Sequence, residues 1–178
     1  AIVAAGWRVQ RAVAQLIEFS RPDTNTITEL LVNETIQTAL DLVGGQFQAG
    51  TTQLEINLQP SLPNLRGNAR QMVDLWVNLL MLARDATNDG QVHRISVRSE
   101  QAPAGDVQVE ICDDGKPIPV DELATLFESN FLRSPGGRGN GIELNICQEI
   151  VRQHGGEICA HSSAERGTMI RVSFPWEG

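Results

Sequence analysis

The chain is poor in cysteine, with three thiols in 178 residues. Cys112, Cys147 and Cys159 are odd in number, far apart and flanked by apolar residues. Disulfide frameworks and zinc sites require paired cysteine spacings, which are absent from this sequence. We therefore expect three buried free thiols in a reducing compartment, which predicts a cytoplasmic protein.

Basic charge and long apolar stretches are also scarce. The chain has 14 Lys and Arg side chains and 22 acidic ones, which gives a formal net charge of −8. This charge disfavours binding to nucleic acids and to anionic lipids. The longest apolar runs are too short to cross a bilayer, and the first residues lack a secretory leader pattern. Hydrophobic residues make up 41% of the chain, as in ordinary globular domains. The sequence predicts a folded protein with no nucleic-acid partner and no membrane segment.

Residues 1–19 have the pattern of a helix with a narrow apolar stripe that ends before Pro22, and residues 1–22 are the predicted N-terminal segment. The stripe positions alternate in spacing between four and three, as in a coiled coil: Ile2, Gly6, Val9, Val13 and Leu16. A stripe without a partner helix favours pairing with a second chain, and a terminal helix packed on its own domain is the alternative. Residues 23–32 are predicted to be a linker, and residues 33–178 a single domain.

Within that domain the hydrophobic periodicity alternates between helices and strands. The first predicted helix begins at an Asn33 N-cap and runs to Val43, where Gly44 and Gly45 end it. The other predicted helices run from Asn68 to Ala86, near 121–127 and from Ile142 to Gln153. Strands are predicted over 53–59 and around Ile95, Ile111, Ile158 and Val172. Because strands often follow one another directly, we predict a two-layer α/β sandwich, a mixed sheet with helices on one face, plus the N-terminal helix.

Three local patterns could carry chemistry. The glycines of residues 136–141 precede a predicted helix, and such a backbone can cradle a phosphate; a surface loop is the alternative. A strand ends at Asp113 and Asp114, where a carboxylate could accept a hydrogen bond from an adenine amino group; a plain Asp-Gly turn is the alternative. Asp74, Asn78 and Asp85 share a helix face, where oxygen ligands could hold Mg²⁺; a solvated face is the alternative.

Seen jointly and in this order, these segments resemble the ATP-binding domain of sensor histidine kinases, within the group shared with gyrase, Hsp90 and MutL. The similar segments are the N box at 77–86, the G1 box at 113–119, the F box at 126–131, the G2 box at 137–142, and residues 150–156 with Gly167 and Thr168. The short connection before the G2 box is similar to the short-lid branch of nitrogen-sensor kinases. Upstream, residues 9–22 resemble the end of the second helix of the kinase dimerisation hairpin.

The resemblance implies a site, a reaction and partners. Asp113 would bind the adenine amino group, Gly115 would let the chain pass close to the base, and Asn78 would lie near the phosphates and bind Mg²⁺. The further nucleotide contacts that it implies are Asp85, Ile118, Gly137, Gly139, Gly141 and Thr168. The γ-phosphoryl group of ATP would pass to a histidine on the hairpin of a homodimer built through the N-terminal helix, and a response regulator would be the partner.

This sequence departs from the family's pattern at three positions. Leu82 replaces the asparagine that normally coordinates Mg²⁺, and the same position also continues the apolar stripe of its helix. Pro117 replaces the second glycine of the G1 box, where backbone freedom is normally used. Asn130 replaces an aromatic residue in the F box.

The three histidines do not match the family's phosphoacceptor, which has an acidic neighbour. His154 is predicted to be structural, next to Gly155, and His93 and His161 are predicted to be ordinary surface residues. Two hypotheses follow. The chain is the catalytic part of a histidine kinase whose acceptor lies elsewhere, or it is a degenerate kinase-like binding module with weak or no turnover that acts through protein contacts. A gyrase-type ATPase is disfavoured because residues 71–86 contain no glutamate.

Overall fold

The computed structural model of the chain describes residues 26–48, 52–123, 126–127 and 141–176. The predicted dimerisation helix at 1–22, Asn130 and the glycines before residue 141 lie outside these ranges. The elements in chain order are β1 (Thr28–Leu30), α1 (Val32–Gln48), β2 (Thr52–Leu58), β3 (Leu65–Gly67), α2 (Ala69–Ala86), β4 (His93–Gln101), β5 (Val107–Asp113), α3 (Val120–Leu123), α4 (Gly141–Gln153), β6 (Glu157–Ser163) and β7 (Gly167–Phe174).

The predicted mixed sheet is confirmed. Its five strands lie in the order β2-β4-β5-β7-β6. Only β2 and β4 run parallel, joined by a connection that contains α2, and the other neighbours are antiparallel. Strands β1 and β3 form a separate antiparallel pair. The pairing places the start of β4, the end of β5 and the start of β7 side by side at one end of the sheet.

One face of the sheet packs on helices and the other is polar. Helix α2 contacts α1, α4 and β5, so it is the central helix of its layer. The alternate strand residues that face this layer are buried: Ile95, Val97, Val109, Ile111, Ile170 and Val172. On the opposite face Arg171 donates to Glu110 across β5 and β7 at 2.8 Å. This alternation is typical of an antiparallel sheet with one solvated face and confirms the predicted two-layer sandwich.

Trp76 of α2 joins three elements at the centre of the core. Its ring is fully buried and lies edge-on to Phe174 of β7, with ring centroids 6.3 Å apart. Its indole Nε1 donates to the Oγ1 of Thr35 in α1 at 2.8 Å. A buried tryptophan needs such a partner, since an unmet indole N–H carries its full desolvation cost.

Helix α2 begins as predicted, because the Asn68 side chain accepts a hydrogen bond from the backbone N–H of Gln71 at 3.1 Å. The prediction for α1 was wrong at both ends. Asn33 does not cap it, since its side chain donates to the Gln59 carbonyl and accepts from the Ser99 hydroxyl, each at 2.7 Å. It ties the helix to the sheet.

The glycine pair at positions 44 and 45 does not end α1, which continues to Gln48. The added turn buries Phe47, which is 5% exposed. Burying such a ring stabilises by about 1.5 to 3 kcal/mol, which offsets the roughly 0.5 to 1 kcal/mol that each helical glycine costs. Residues 28–30, within the predicted linker, form a strand, and the short helix predicted near 121–127 is observed at Val120–Leu123.

The cysteines are free, as predicted, but not all are buried. Cys147 is buried, Cys112 is half-buried and Cys159 is exposed on β6. Burial is the main cause that raises the pKa of the Cys112 thiol. The expectation of three buried thiols was therefore wrong for Cys159, which lies on the polar face of the sheet. Among the helices that the structure describes, none is long and apolar enough to cross a membrane.

We expect Thr35→Val to lower the free energy of unfolding by about 1 to 3 kcal/mol, because the buried indole N–H of Trp76 loses its acceptor. Thr38→Val, in the same helix but exposed, is the matched control and should change it by less than about 0.5 kcal/mol. Urea denaturation followed by circular dichroism measures both. Equal effects of the two substitutions would contradict the role given to this hydrogen bond.

Candidate functional site

Strand β5 ends at the predicted base-binding carboxylate, and a loop follows it. Asp113 is 5% exposed, and its Oδ1 accepts a hydrogen bond from the backbone N–H of Gly115 at 3.0 Å. It is paired in register with Ile95 of β4 on one side and Thr168 of β7 on the other. The carboxylate is therefore held in a fixed orientation at the end of the three central strands.

The C-terminal end of α2 presses against this loop. A Cβ on Gly115 would lie 2.4 Å from the carbonyl oxygen of Ala86, closer than any side chain tolerates. The next N–H, from Lys116, donates to the same carbonyl at 3.0 Å. Glycine is needed here for a contact between two backbones, and this contact fixes the loop against the helix that carries Asn78 and Asp85.

The far end of the loop is tied to β6. The backbone N–H of Ile118 donates to the Oγ of Ser162 at 2.8 Å, and that oxygen lies 2.9 Å from the Oγ1 of Thr168. Ile118 and Thr168 are both buried. Pro117 is accommodated between the Lys116 and Ile118 hydrogen bonds, so its substitution for glycine leaves the loop anchored at both ends.

The turn from β6 to β7 makes a second close backbone contact. Gly167 has φ of +70°, and a Cβ there would lie 1.9 Å from the carbonyl oxygen of Asp113. Only glycine fits both the left-handed conformation and the contact. The structure thus brings together four of the residues predicted for the nucleotide, namely Asp113, Gly115, Ile118 and Thr168.

The predicted residues of α2 are placed differently from one another. Asn78 is 3% exposed, while Asp85, two turns further along, pairs with Arg84 at the surface at 2.7 Å. Leu82 between them is 4% exposed and belongs to the hydrophobic core. The leucine therefore packs inward, and its position supplies no oxygen ligand. No group of three or more His, Cys, Asp or Glu side chains that could hold a metal ion occurs in the part of the chain that the structure describes.

The predicted phosphate loop is described only at its end. Gly141 is the first residue of α4, whereas Gly137 and Gly139 lie outside the described residues. Their part in phosphate binding stays a prediction.

Histidine placement corrects one prediction and confirms another. His93 is not an ordinary surface residue, since its side chain is 11% exposed and both ring nitrogens contact carboxylates, Asp114 at 2.9 Å and Asp89 at 2.8 Å. His154 is structural, as predicted: Asn68 N–H donates to its Nε2 at 2.9 Å, and its Nδ1 lies 2.7 Å from the Ile150 carbonyl. His161 is exposed on β6.

Sequence reasoning missed three residues around the site: Thr87, His93 and Ser162. Thr87 ends α2, where its Oγ1 contacts the Thr52 hydroxyl at 3.3 Å and donates to the Arg84 carbonyl at 3.0 Å. Gly167 was recognised as part of the family pattern, but its close contact with the Asp113 carbonyl was not predicted. The contact of His93 with Asp114 and that of Ser162 with Ile118 join residues 21 and 44 positions apart, so no short pattern contains them.

A cavity of about 320 Å³ lies towards the other end of α2. Its lining includes Leu30, Met72, His154, Phe174 and Trp176, and none of the residues predicted for the nucleotide is among the described residues that line it. It is separate from the loop after β5.

Known proteins are similar to most of this chain in sequence and in fold. A family model described as histidine kinase-, DNA gyrase B- and HSP90-like ATPase matches residues 67–178. The sensor histidine kinase ZraS of Klebsiella oxytoca is 29% identical over 171 residues, which cover 96% of this chain and 36% of that protein. The chain spans about a third of the length of the ZraS proteins that it matches.

Two solved structures share the fold. The catalytic domain of the histidine kinase ThkA matches with a TM-score of 0.72 and 23% identity, covering 84% of this chain and 95% of that one. The same kinase in complex with the response regulator protein TrrA matches with a TM-score of 0.75, covering 98% of this chain and 49% of that one.

Gly115→Ala should lower the free energy of unfolding by about 1 to 3 kcal/mol, because the added methyl group forces the loop away from Ala86. Gly44→Ala is the matched control, since a Cβ at that helical position meets nothing within 4 Å. It should instead raise stability by about 0.5 to 1 kcal/mol. Thermal and urea unfolding compare the two variants, and a stabilising effect of Gly115→Ala would contradict the packing described.

Proposed function

Because this chain belongs to the family of histidine kinase-, DNA gyrase B- and HSP90-like ATPases and has the fold of the ATP-binding catalytic domain of sensor histidine kinases, we propose that it binds ATP at Asp113. The γ-phosphoryl group would then pass to a histidine outside this chain. The observation that carries the proposal is the convergence of Asp113, Gly115, Ile118 and Thr168 at one end of the sheet. The alternative of a binding module without turnover is not favoured, since the similar proteins are sensor kinases.

Base recognition follows from the buried carboxylate. Asp113 would accept a hydrogen bond from the exocyclic amine of adenine, and the Gly115 N–H holds the carboxylate for it. Ile118 would supply an apolar contact to the base, and the Thr168 hydroxyl lies on the neighbouring strand. A hydrogen bond to a charged acceptor away from water is among the stronger ones available to a protein.

The phosphates would extend from the base towards the N-terminus of α4. Gly141 begins this helix, whose first N–H groups carry partial positive charge, and the predicted contacts Gly137 and Gly139 precede it in sequence. Asn78 and Asp85 are the α2 residues that we assign to this end of the nucleotide. Asp85 would exchange its surface partner Arg84 for contacts with the nucleotide.

Mg²⁺ fits a site with one protein donor. The Asn78 carboxamide oxygen is a hard ligand of the kind this ion takes, and Leu82 contributes none. Mg²⁺ commonly keeps several waters and takes further ligands from substrate phosphates, so a single side chain is sufficient. When bound, the ion neutralises charge on the phosphates. The chain's own contribution is to hold and orient the nucleotide.

In the proposed transfer, an imidazole nitrogen attacks the γ-phosphorus in line. The bond from phosphorus to the bridging oxygen breaks, the phosphorus–nitrogen bond forms, and ADP leaves. The ring nitrogens of His93 and His154 are engaged in hydrogen bonds, and His161 lacks an acidic neighbour. We therefore assign the acceptor to a hairpin that residues 1–22 help to build as a homodimer, with a response regulator as the next partner.

Asp113→Asn should weaken ATP binding roughly 10- to 100-fold, because the amide is a poorer acceptor and can turn a donor towards the adenine amine. Asp41→Asn, an exposed carboxylate on α1, is the charge-matched control and should leave binding unchanged. Isothermal titration calorimetry with MgATP measures both. If the wild-type chain shows no heat of binding at millimolar ATP, the proposed nucleotide site is wrong.

Transfer itself is tested by supplying an acceptor. Incubation with γ-³²P-ATP and a separate histidine-bearing dimerisation hairpin from a similar sensor kinase should label the hairpin with an acid-labile phosphate. Asp113→Asn should lower the rate at subsaturating ATP in proportion to its loss of affinity, and the chain alone should stay unlabelled. Unlabelled hairpin in the presence of demonstrated ATP binding would instead favour the binding module.

A further inference from the structure

We propose that His93 is a positioning residue that clamps the base-binding loop in its imidazolium form, so that nucleotide affinity falls when the ring loses a proton. The proposal rests on the nucleotide site proposed above. It adds to that site a residue that does not touch the nucleotide and acts through Asp114, the immediate neighbour of Asp113.

Both ring nitrogens of His93 face acceptors. Nδ1 lies 2.9 Å from the Oδ1 of Asp114, and Nε2 lies 2.8 Å from the Oδ1 of Asp89. Ionised carboxylates can only accept hydrogen bonds, so two such contacts require an N–H on each nitrogen. Among the states of histidine only the imidazolium has both. The geometry therefore points to a charged ring bridging two carboxylates.

The clamp connects the segments that surround the predicted adenine site. Asp114 Oδ1 also accepts from the Arg94 N–H at 2.9 Å, and its own N–H donates to the Arg94 carbonyl at 3.2 Å. Asp89 lies in the turn that leaves α2 and also accepts from the Gln91 N–H at 2.9 Å. Because Gly115 follows Asp114 directly, His93 ties the base-binding loop to this turn and to the start of β4.

The two carboxylates around His93 both favour the charged form of its ring. Asp89 faces it from the turn and Asp114 from the loop after β5, while its register partner on β2 is the uncharged Thr52. Arg94 is engaged with Glu55 at 3.1 Å, and on the end of α2, Arg84 pairs with Asp85. Burial by itself lowers the pKa of His93, but the hydrogen bonds and charges of Asp89 and Asp114 outweigh it and raise that pKa.

The raised pKa of His93 determines in which pH range the clamp stabilises the loop after β5. The clamp contributes fully below the unfolded value of about 6.5, and it is lost as pH rises through the higher folded value. The neutral ring then turns a lone pair towards one carboxylate, so one of its two contacts, with Asp89 or with Asp114, becomes repulsive. The loop after β5 is held less firmly, and the nucleotide must order it on binding, so affinity falls.

The test measures the dissociation constant of ADP by calorimetry from pH 6 to pH 9 for the wild type and for His93→Gln, which offers a single donor group. The ratio of the two constants cancels the titration of ADP itself. We expect the wild type to bind about three- to tenfold more tightly at pH 6, with the ratio falling towards one by pH 9. His161→Gln, at an exposed histidine without such contacts to the residues that the structure describes, should give a ratio near one throughout.

Asp89→Asn provides a second variant outside the proposed nucleotide contacts. It removes one carboxylate, so the pH dependence of ADP binding should shift to lower pH, with folding retained. A ratio for His93→Gln that stays constant across the pH range, or an unshifted profile for Asp89→Asn, overturns the clamp.

Failure of the nucleotide site is distinguishable from failure of the clamp. If the wild type binds no ADP at any pH, the proposed function is lost, and thermal unfolding then decides the clamp. The difference in Tm between the wild type and His93→Gln should be largest at pH 6 and shrink towards pH 9. A pH-independent difference contradicts a charged bridge and indicates a packing role only.

Discussion

The site depends on backbone packing against backbone at two glycines. Gly115 lets the loop after β5 lie on the last carbonyl of α2, and Gly167 lets the turn before β7 lie on the carbonyl of Asp113. Each contact is closer than a side chain permits, so the two glycines set the position of Asp113 between a helix and a strand. The hydrogen bonds of Asp113, Lys116 and Ile118 then hold the loop in that position.

The core supports this arrangement from the other side. Trp76 joins α1, α2 and β7, and Leu82 fills the position where the family's pattern has a metal-binding asparagine. A buried leucine offers no oxygen ligand at this position and gives the central helix an apolar contact. The structure therefore explains how a helix with this substitution keeps its place beside the loop, and it leaves Asn78 as the metal donor that we propose.

The periodicity of the sequence predicted the fold well, because alternation in β5 and β7 and the stripe of α2 report directly on which face is buried. Asn68 was recognised as a cap since capping is a local interaction. The helix end predicted at Gly44 and Gly45 was wrong, because a tertiary contact, the burial of Phe47 in the core, decides where α1 ends. The bridge formed by His93 escaped sequence reasoning for the same reason, since Asp89 and Asp114 come together only when α2, β4 and β5 are assembled.

The central claim is that the loop after β5 binds the adenine base. Photolysis of the chain with 8-azido-ATP, followed by proteolysis and mass spectrometry, locates the base most directly. We expect the label to fall on peptides containing residues 113–118 or 167–168 and unmodified ADP to suppress it. Labelling confined to the cavity lined by Leu30 and Trp176, or labelling that ADP does not suppress, would contradict it.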